Sequence, residues 1–373
     1  MSYTYFSSPE SEPFHLCVLE DGSPFGRRLV SELTKVPWLT LQTTEQDSTE
    51  LVFLIGDPAS VHAVLTTRTS LTKVWVYLLQ RYEGLDPRHV EVLNAKADRI
   101  FSTNREWRTI QRQQGLVRPL DVLHAGIRVA GPRTEGPKTA SPRTEGRLSL
   151  GIPEEVFLIL STHRNASHKR YDTLIQAFVE LLIKHPQKPL FLMCVCAKGQ
   201  DAEGYHAIFD LFAQALRQKG VEVSDYSNRL LLSARYDSLT DDELGVFYDI
   251  ADCGVSCADG GAVGLSILES MAHGLPSVVS NTVAHRDICT ADNSIRVDPV
   301  VRLVEDSSTQ RQLVSATAVA QALETYVLHE PLRKAHAAAA AAAAAPYSES
   351  AVLTGLVKRL DLLRRERDID SER

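Results

Sequence analysis

The stretch VFLILSTHRNASHKRYDTLIQAFVELLIK, residues 156–184, decides the reading of the fold. Val156 to Leu160 is a short, wholly apolar run, as a strand buried on both faces requires. A polar loop follows from Ser161 to Arg170. Tyr171 to Lys184 then spaces its apolar residues at helical intervals. The pattern repeats downstream. Strands are expected at Leu190–Cys196, Leu230–Leu232, Cys253–Ser256 and Ser277–Ser280. Helices are expected at Tyr205–Gln218, Thr240–Ile250 and Val263–His273. Thr240 suits an N-cap, and the acidic residues after it complement the helix dipole. Strands alternating with helices make an α/β fold with a mostly parallel sheet.

The first half shows the same alternation. Phe14–Leu19, Leu51–Ile55, Val74–Leu79 and Ala97–Phe101 read as strands, with a last one near Val122 and Leu123. Leu29, Val30 and Leu33 lie at helical spacing. Between the halves, residues 131–147 are rich in proline and glycine and hold no large apolar side chain. Pro132-Arg133-Thr134-Glu135-Gly136 recurs there as Pro142-Arg143-Thr144-Glu145-Gly146. Such a segment buries too little to offset its ordering entropy, so it reads as an interdomain linker. The organisation expected is residues 1–130, the linker 131–147, residues 148–330, and a tail 331–373. The alanine run 337–345 fits a helix or a spacer. A last helix is expected from about Ser350, with Leu353, Leu356, Val357, Leu360 and Leu363 on one stripe. Its other face carries Lys358, Arg359, Arg364, Arg365 and Arg367. A basic amphipathic helix can touch anionic membranes, although a solvated face is the simpler reading.

Composition narrows the function. Of 373 residues, 44% are hydrophobic and 23% charged, with a net charge of -7. That is a globular chain. It lacks the clustered positive charge that nucleic-acid binding needs. No apolar run approaches the roughly 20 residues that span a bilayer, and no secretory leader is legible. Six cysteines without paired spacing read as core residues in a reducing, cytoplasmic compartment. Neither a Walker loop nor a Gly-x-Gly-x-x-Gly fingerprint occurs, which argues against nucleoside triphosphatases and dehydrogenases.

Two segments can carry chemistry. The loop after the strand ending at Leu160 bears Arg164 and Lys169, five residues apart. Loops at strand C-termini are where parallel sheets bind ligands, and both cations suit phosphate oxygens. His163 and His168 flank them and are expected to face solvent. The second segment is Asp259-Gly260-Gly261-Ala262-Val263-Gly264-Leu265, a glycine turn leading into a helix. Free N–H groups at a helix start attract anions, and glycines let a phosphate approach the backbone. Glu269 lies farther along that helix among apolar residues, so its carboxylate needs partners. Ribose hydroxyls or protein donors would serve.

Residues 155–290 resemble the nucleotide-binding domain of retaining GT-B glycosyltransferases of the family 4, group 1, kind. Arg164 and Lys169 match its Arg-x4-Lys motif, followed by Asp172 to Leu174. Tyr248, Ala251 and Asp252 match its Tyr-x-x-Ala-Asp element. Glu269, then Ser270-Met271-Ala272-His273-Gly274-Leu275-Pro276, match the end of its Glu-x7-Glu motif. In the first half, the Gly22 loop, Tyr82-Glu83-Gly84, Ala97-Asp98-Arg99 and His124-Ala125-Gly126-Ile127 are similar to the family's first domain. The resemblance implies two Rossmann-like domains with parallel sheets facing a central cleft. It implies sugar transfer from a UDP- or GDP-sugar, with retention of configuration, to a glycan, lipid, protein or small-molecule acceptor. No metal or other cofactor is implied. Arg164, Lys169 and Glu269 would be catalytic. Gly22, Asp259, Gly261, Val263, Gly264 and Leu265 would hold the donor, and Glu83 would lie on the acceptor side. One departure stands out: Gly261 occupies the place of the first Glu, and Asp259 is the nearest substitute. A non-catalytic protein that binds a nucleotide or a partner is the alternative, and a nucleotide-sugar epimerase is a third.

Overall fold

The computed structural model describes residues 13–20, 24–128, 141–196, 204–233, 238–305 and 309–371. These form two compact units. The first comprises residues 1–126, 304–310 and 346–373, and the second 127–303 and 311–345.

The first unit runs β1 (Phe14–Glu20), α1 (Pro24–Leu33), β2 (Leu39–Gln42), β3 (Leu51–Gly56), α2 (Pro58–Thr67), β4 (Lys73–Leu78), α3 (Pro87–Lys96), β5 (Arg99–Ser102), α4 (Arg105–Gln113) and β6 (Leu120–Val122). Its parallel six-stranded sheet has the order β2-β1-β3-β4-β5-β6. Every residue of β3 is buried, as a strand covered by helices on both faces requires. Helix starts are written locally. Asp57 Oδ1 accepts from the amides of Ala59 and Ser60, and Asn104 Oδ1 accepts from the Trp107 amide.

The second unit runs α5 (Pro142–Ser149), β7 (Phe157–Thr162), α6 (Tyr171–Lys184), β8 (Leu190–Val195), α7 (Gly204–Gln218), β9 (Leu230–Ser233), α8 (Asp241–Ile250), β10 (Cys253–Ser256), α9 (Leu265–Ala272), β11 (Ser277–Ser280), α10 (Val283–Arg286) and β12 (Ser294–Val297). A hairpin of β13 (Pro299–Glu305) and β14 (Thr309–Val314) follows, then α11 (Ala316–Leu328), α12 (Glu330–Ala344) and the C-terminal α13 (Glu349–Ser371). The second sheet is also parallel, in the order β12-β11-β10-β7-β8-β9. Counted within the unit and read from β9, this is 3-2-1-4-5-6, the order of nucleotide-binding Rossmann sheets. The N-cap expected at Thr240 forms, and Glu243 completes it as a capping box.

Part of the expected linker is helix instead. The second copy of the repeat is the first turn of α5, capped by Ser141 with Pro142 at its start. What holds it is tertiary. The Arg147 side chain is 1% exposed and its Nη2 lies 2.9 Å from Asp252 Oδ2. Its other nitrogens donate to the carbonyls of Ile250, Pro153, Glu154 and Val156. Arg143 Nη2 reaches Asp252 Oδ1 at 2.8 Å. A Cβ on Gly146 would come within 2.6 Å of Ile250, so α5 and α8 pack as closely as glycine permits. The first copy of the repeat, 132–136, lies outside the described residues.

The alanine run is helical and has a packing role. Ala340 and Ala344 are fully buried where α12 lies on α9. Helix α13 belongs to the first unit. Arg364 is 3% exposed and lies over the Trp38 ring, Arg359 lies over Phe101, and Arg367 pairs with Glu50 at 2.9 Å. Packing thus uses three of the five cations expected on a solvated face, while Lys358 and Arg365 stay exposed. No helix among the described residues is long and apolar enough to cross a membrane.

Candidate active site

In the second sheet the strand order reverses between β7 and β10, and ligands of open α/β sheets bind outside the carboxyl ends at that point. The loops leaving those two ends are the two segments the sequence singles out. The structure ties them together. The Asp259 amide donates to His168 O at 3.0 Å, and Ser266 Oγ lies 3.0 Å from His163 Nδ1. Arg164 is exposed on the first loop and Lys169 half-buried. Ser167 to Lys169 form one tight turn, and Arg170 adopts φ 55°, the only described non-glycine residue with positive φ. Arg170 also pairs with Asp172.

Both flanking histidines are buried, against the expectation of solvent exposure. His163 is 5% exposed and His168 8%. Burial, then the charges of Lys169, His285 and His168, holds the His163 imidazole well below its ordinary pKa, so it is neutral. Lys169 acts on His285 in the same sense. The cation and the two imidazoles therefore form one cluster beside the start of α9.

That helix start has no side-chain cap, and Gly264 stands at the N-cap. The Ile267 amide donates to the Gly264 carbonyl at 3.0 Å, and the N–H groups ahead of it have no intrahelical acceptor and are available to an anion. A Cβ at Gly264 would lie 2.9 Å from His285 Cδ2 and 3.2 Å from the Ala284 carbonyl. A Cβ at Gly261 would lie 3.2 Å from Ala284 Cβ. The glycine turn is thus pressed against α10, and glycine is required at 264. Val263 and Leu265 flank the N-cap, both half-buried.

Glu269 is half-buried and accepts from Tyr248 Oη at 3.0 Å. The same hydroxyl lies 3.0 Å from Thr162 Oγ1 at the end of β7. A relay from Thr162 through Tyr248 thus aims the carboxylate. Asp259 is engaged elsewhere. It is 1% exposed, and its Oδ2 accepts from Arg311 Nε at 2.8 Å and Nη2 at 2.5 Å. Its carbonyl accepts from the Gln312 amide. Asp252, which the motif reading grouped with the site, holds α5 and the Leu158 amide. Glu83 lies in the first unit, where its carbonyl accepts from the Gln310 amide at 2.8 Å. Gly22 lies outside the described residues.

Sequence reasoning missed His285, Ser266 and Arg311. Ser266 lies at an unspecified position of the Glu-x7-Glu stretch and the other two lie in no motif, so each gains its place only from strands brought together by the fold.

Comparison with known proteins agrees with this geometry. Residues 142–316 match the family model of glycosyl transferases, group 1. That match spans just under half of the chain, and it contains every residue of the cluster. No curated protein matches the sequence. Among solved structures, HepE of Anabaena in complex with UDP and glucose superimposes with a TM-score of 0.66 at 14% identity, over 93% of this chain and 99% of that one. A glycosyltransferase of Rickettsia africae gives 0.66 at 15% identity, covering 95% and 98%. Sucrose-phosphate synthase of Thermosynechococcus elongatus gives 0.62 at 16% identity, covering 90% and 79%. The chain therefore has the GT-B fold of two Rossmann-like domains.

Proposed function

We propose that this protein transfers a sugar from a UDP- or GDP-sugar to a glycan, lipid or protein acceptor, with retention of configuration and without a metal. One observation carries the reading: the Lys169 loop and the uncapped start of α9 meet at the sheet's switch point. The match to group 1 glycosyl transferases over the same residues supports it, as does the shared fold of HepE, whose solved complexes hold UDP.

In this reading Arg164 and Lys169 clamp the diphosphate, and the α9 amides add a fixed partial positive charge. As the glycosidic bond breaks, negative charge grows on the leaving diphosphate. Preorganised donors stabilise it more than the ground state, which lowers the barrier. Glu269, fixed by Tyr248, accepts from ribose hydroxyls. The chain's own cations take the place a metal fills in other transferases. Glu83 is the acceptor-side candidate. Any membrane contact through α13 falls to Lys358 and Arg365. Six free, buried cysteines suit a reducing cytoplasm.

The test is release of UDP or GDP from a panel of nucleotide sugars in the presence of chelator. Release from one donor, abolished in Lys169→Ala, is the expected result. A second reading rests on Gly261, which removes the expected carboxylate: a protein that binds the nucleotide without turnover. Binding without release from any donor would favour it.

A further inference from the structure

The sequence offers Asp259 as the substitute for the carboxylate missing at position 261. The structure turns that carboxylate away. Both Asp259 and His285 are buried, at 1% and 3% exposure, but the Asp259 carboxylate is held by two nitrogens of Arg311. Another group stands against the glycine turn. His285, in α10, packs its Cδ2 edge onto Gly264, at 2.9 Å from where a Cβ would be. Its neighbour Ala284 backs Gly261.

The tautomer of His285 follows from its contacts. Nδ1 lies 2.9 Å from the Ser280 carbonyl. A carbonyl only accepts, so Nδ1 carries the proton and Nε2 presents a lone pair. Nε2 is bonded to Cδ2, the atom that touches the glycine turn. It sets a neutral hydrogen-bond acceptor beside Gly264, three residues along the turn from Gly261, where the family pattern has its carboxylate. Burial, together with Lys169, keeps the ring neutral, so the acceptor persists at working pH.

We propose that His285 Nε2, and not Asp259, accepts a hydroxyl of the donor sugar and so determines which sugar the site takes. This rests on the donor-site reading above. It implies donors whose hydroxyl faces the turn as a hydrogen-bond donor, and discrimination against sugars that are deoxygenated or blocked at that carbon.

The experiment is calorimetric titration of wild type and His285→Leu with UDP, GDP, UDP-glucose, UDP-galactose, UDP-N-acetylglucosamine and GDP-mannose. The readout is the ratio of affinities for each nucleotide sugar and its bare diphosphate. One net hydrogen bond predicts that His285→Leu lowers the ratio for the preferred sugar by about two- to tenfold. His285→Gln, which keeps an acceptor, should restore part of it. Nitrogen-15 spectra of the wild-type imidazoles give a reading that needs no folded variant. The His285 Nε2 signal should move on adding the nucleotide sugar and not on adding the diphosphate. An unchanged ratio overturns the proposal, as does a signal that moves equally with both. A ratio that survives His285→Leu and collapses in Asp259→Asn assigns the contact to Asp259. Absence of any nucleotide binding in wild type overturns the donor-site reading itself, and is told apart because no ratio can then be formed.

Discussion

Asp252 is the residue whose removal most directly tests how the second unit is held. Its two oxygens receive Arg143 at 2.8 Å, Arg147 at 2.9 Å and the Leu158 amide at 2.8 Å. Asp252→Asn keeps the shape and removes the charge. Arg147 is the costly partner, because its guanidinium is buried and leaving one half of such a pair alone costs about 3–5 kcal/mol. Four backbone carbonyls still receive its other N–H groups, which argues for the lower end. The Arg143 pair, a third exposed, adds at most about 1 kcal/mol. A loss of about 3 kcal/mol in a unit of this size lowers the melting temperature by about 6–12 °C. Scanning calorimetry can separate the transitions of the two units, since two-domain chains need not melt as one. Replacing both partners with apolar residues should cost less than the single change. A loss under about 1 kcal/mol for Asp252→Asn would refute the reasoning, since α5 would then be held by something else.

Three further outcomes follow from the site. Lys169→Ala should cut turnover by about a hundred- to a thousandfold, as losing one preorganised donor does, while the melting temperature stays nearly constant; equal losses in both would make Lys169 a structural residue. Gly264→Ala should weaken nucleotide binding more than it lowers stability, because the methyl group pushes His285 and α10 away from the turn, and isothermal titration reads this. Burial, offset by the Ser280 carbonyl and reinforced by Lys169, brings the His285 pKa down to about 4. The folded ring therefore stays neutral while the unfolded chain takes up a proton below pH 6.5. Stability is full above pH 6.5 and falls between 6.5 and about 4, by about 3 kcal/mol from this group. His163 adds to the same slope. Urea midpoints at pH 7, 5.5 and 4.5 check this, and His285→Gln should flatten the profile.

The two sheets were legible because their central strands are built on unbroken apolar runs, such as Leu51–Ile55 and Val156–Leu160, set between helices with local caps. Thr240 with Glu243 wrote one helix start almost to the residue. The edges were harder. Strand β2 is four residues with two polar side chains, and β12 has the same character, so neither rises above a loop pattern. The repeat shows the limit of composition. The pentapeptide at 142–146 has a linker's composition, but it is helical because Arg143 and Arg147 on either side of Gly146 find Asp252, a partner more than a hundred residues away. Spacing and resemblance single out Arg164, Lys169 and Glu269 as candidates. The burial of His163, the retirement of Asp259 to Arg311 and the placement of His285 were not legible. Each depends on which loops the sheet brings together, and no local pattern encodes that.

The central claim is that the Lys169 loop and the α9 start bind a nucleotide diphosphate. A thermal-shift titration with UDP, GDP, ADP and CDP and their common sugar conjugates, in chelator and then with magnesium, tests it most directly. Saturation at about a hundred times the dissociation constant stabilises the folded state by about 2.7 kcal/mol. The account predicts a clear upward shift with one nucleotide family, the same with and without magnesium. No shift with any nucleotide at millimolar concentration would contradict it.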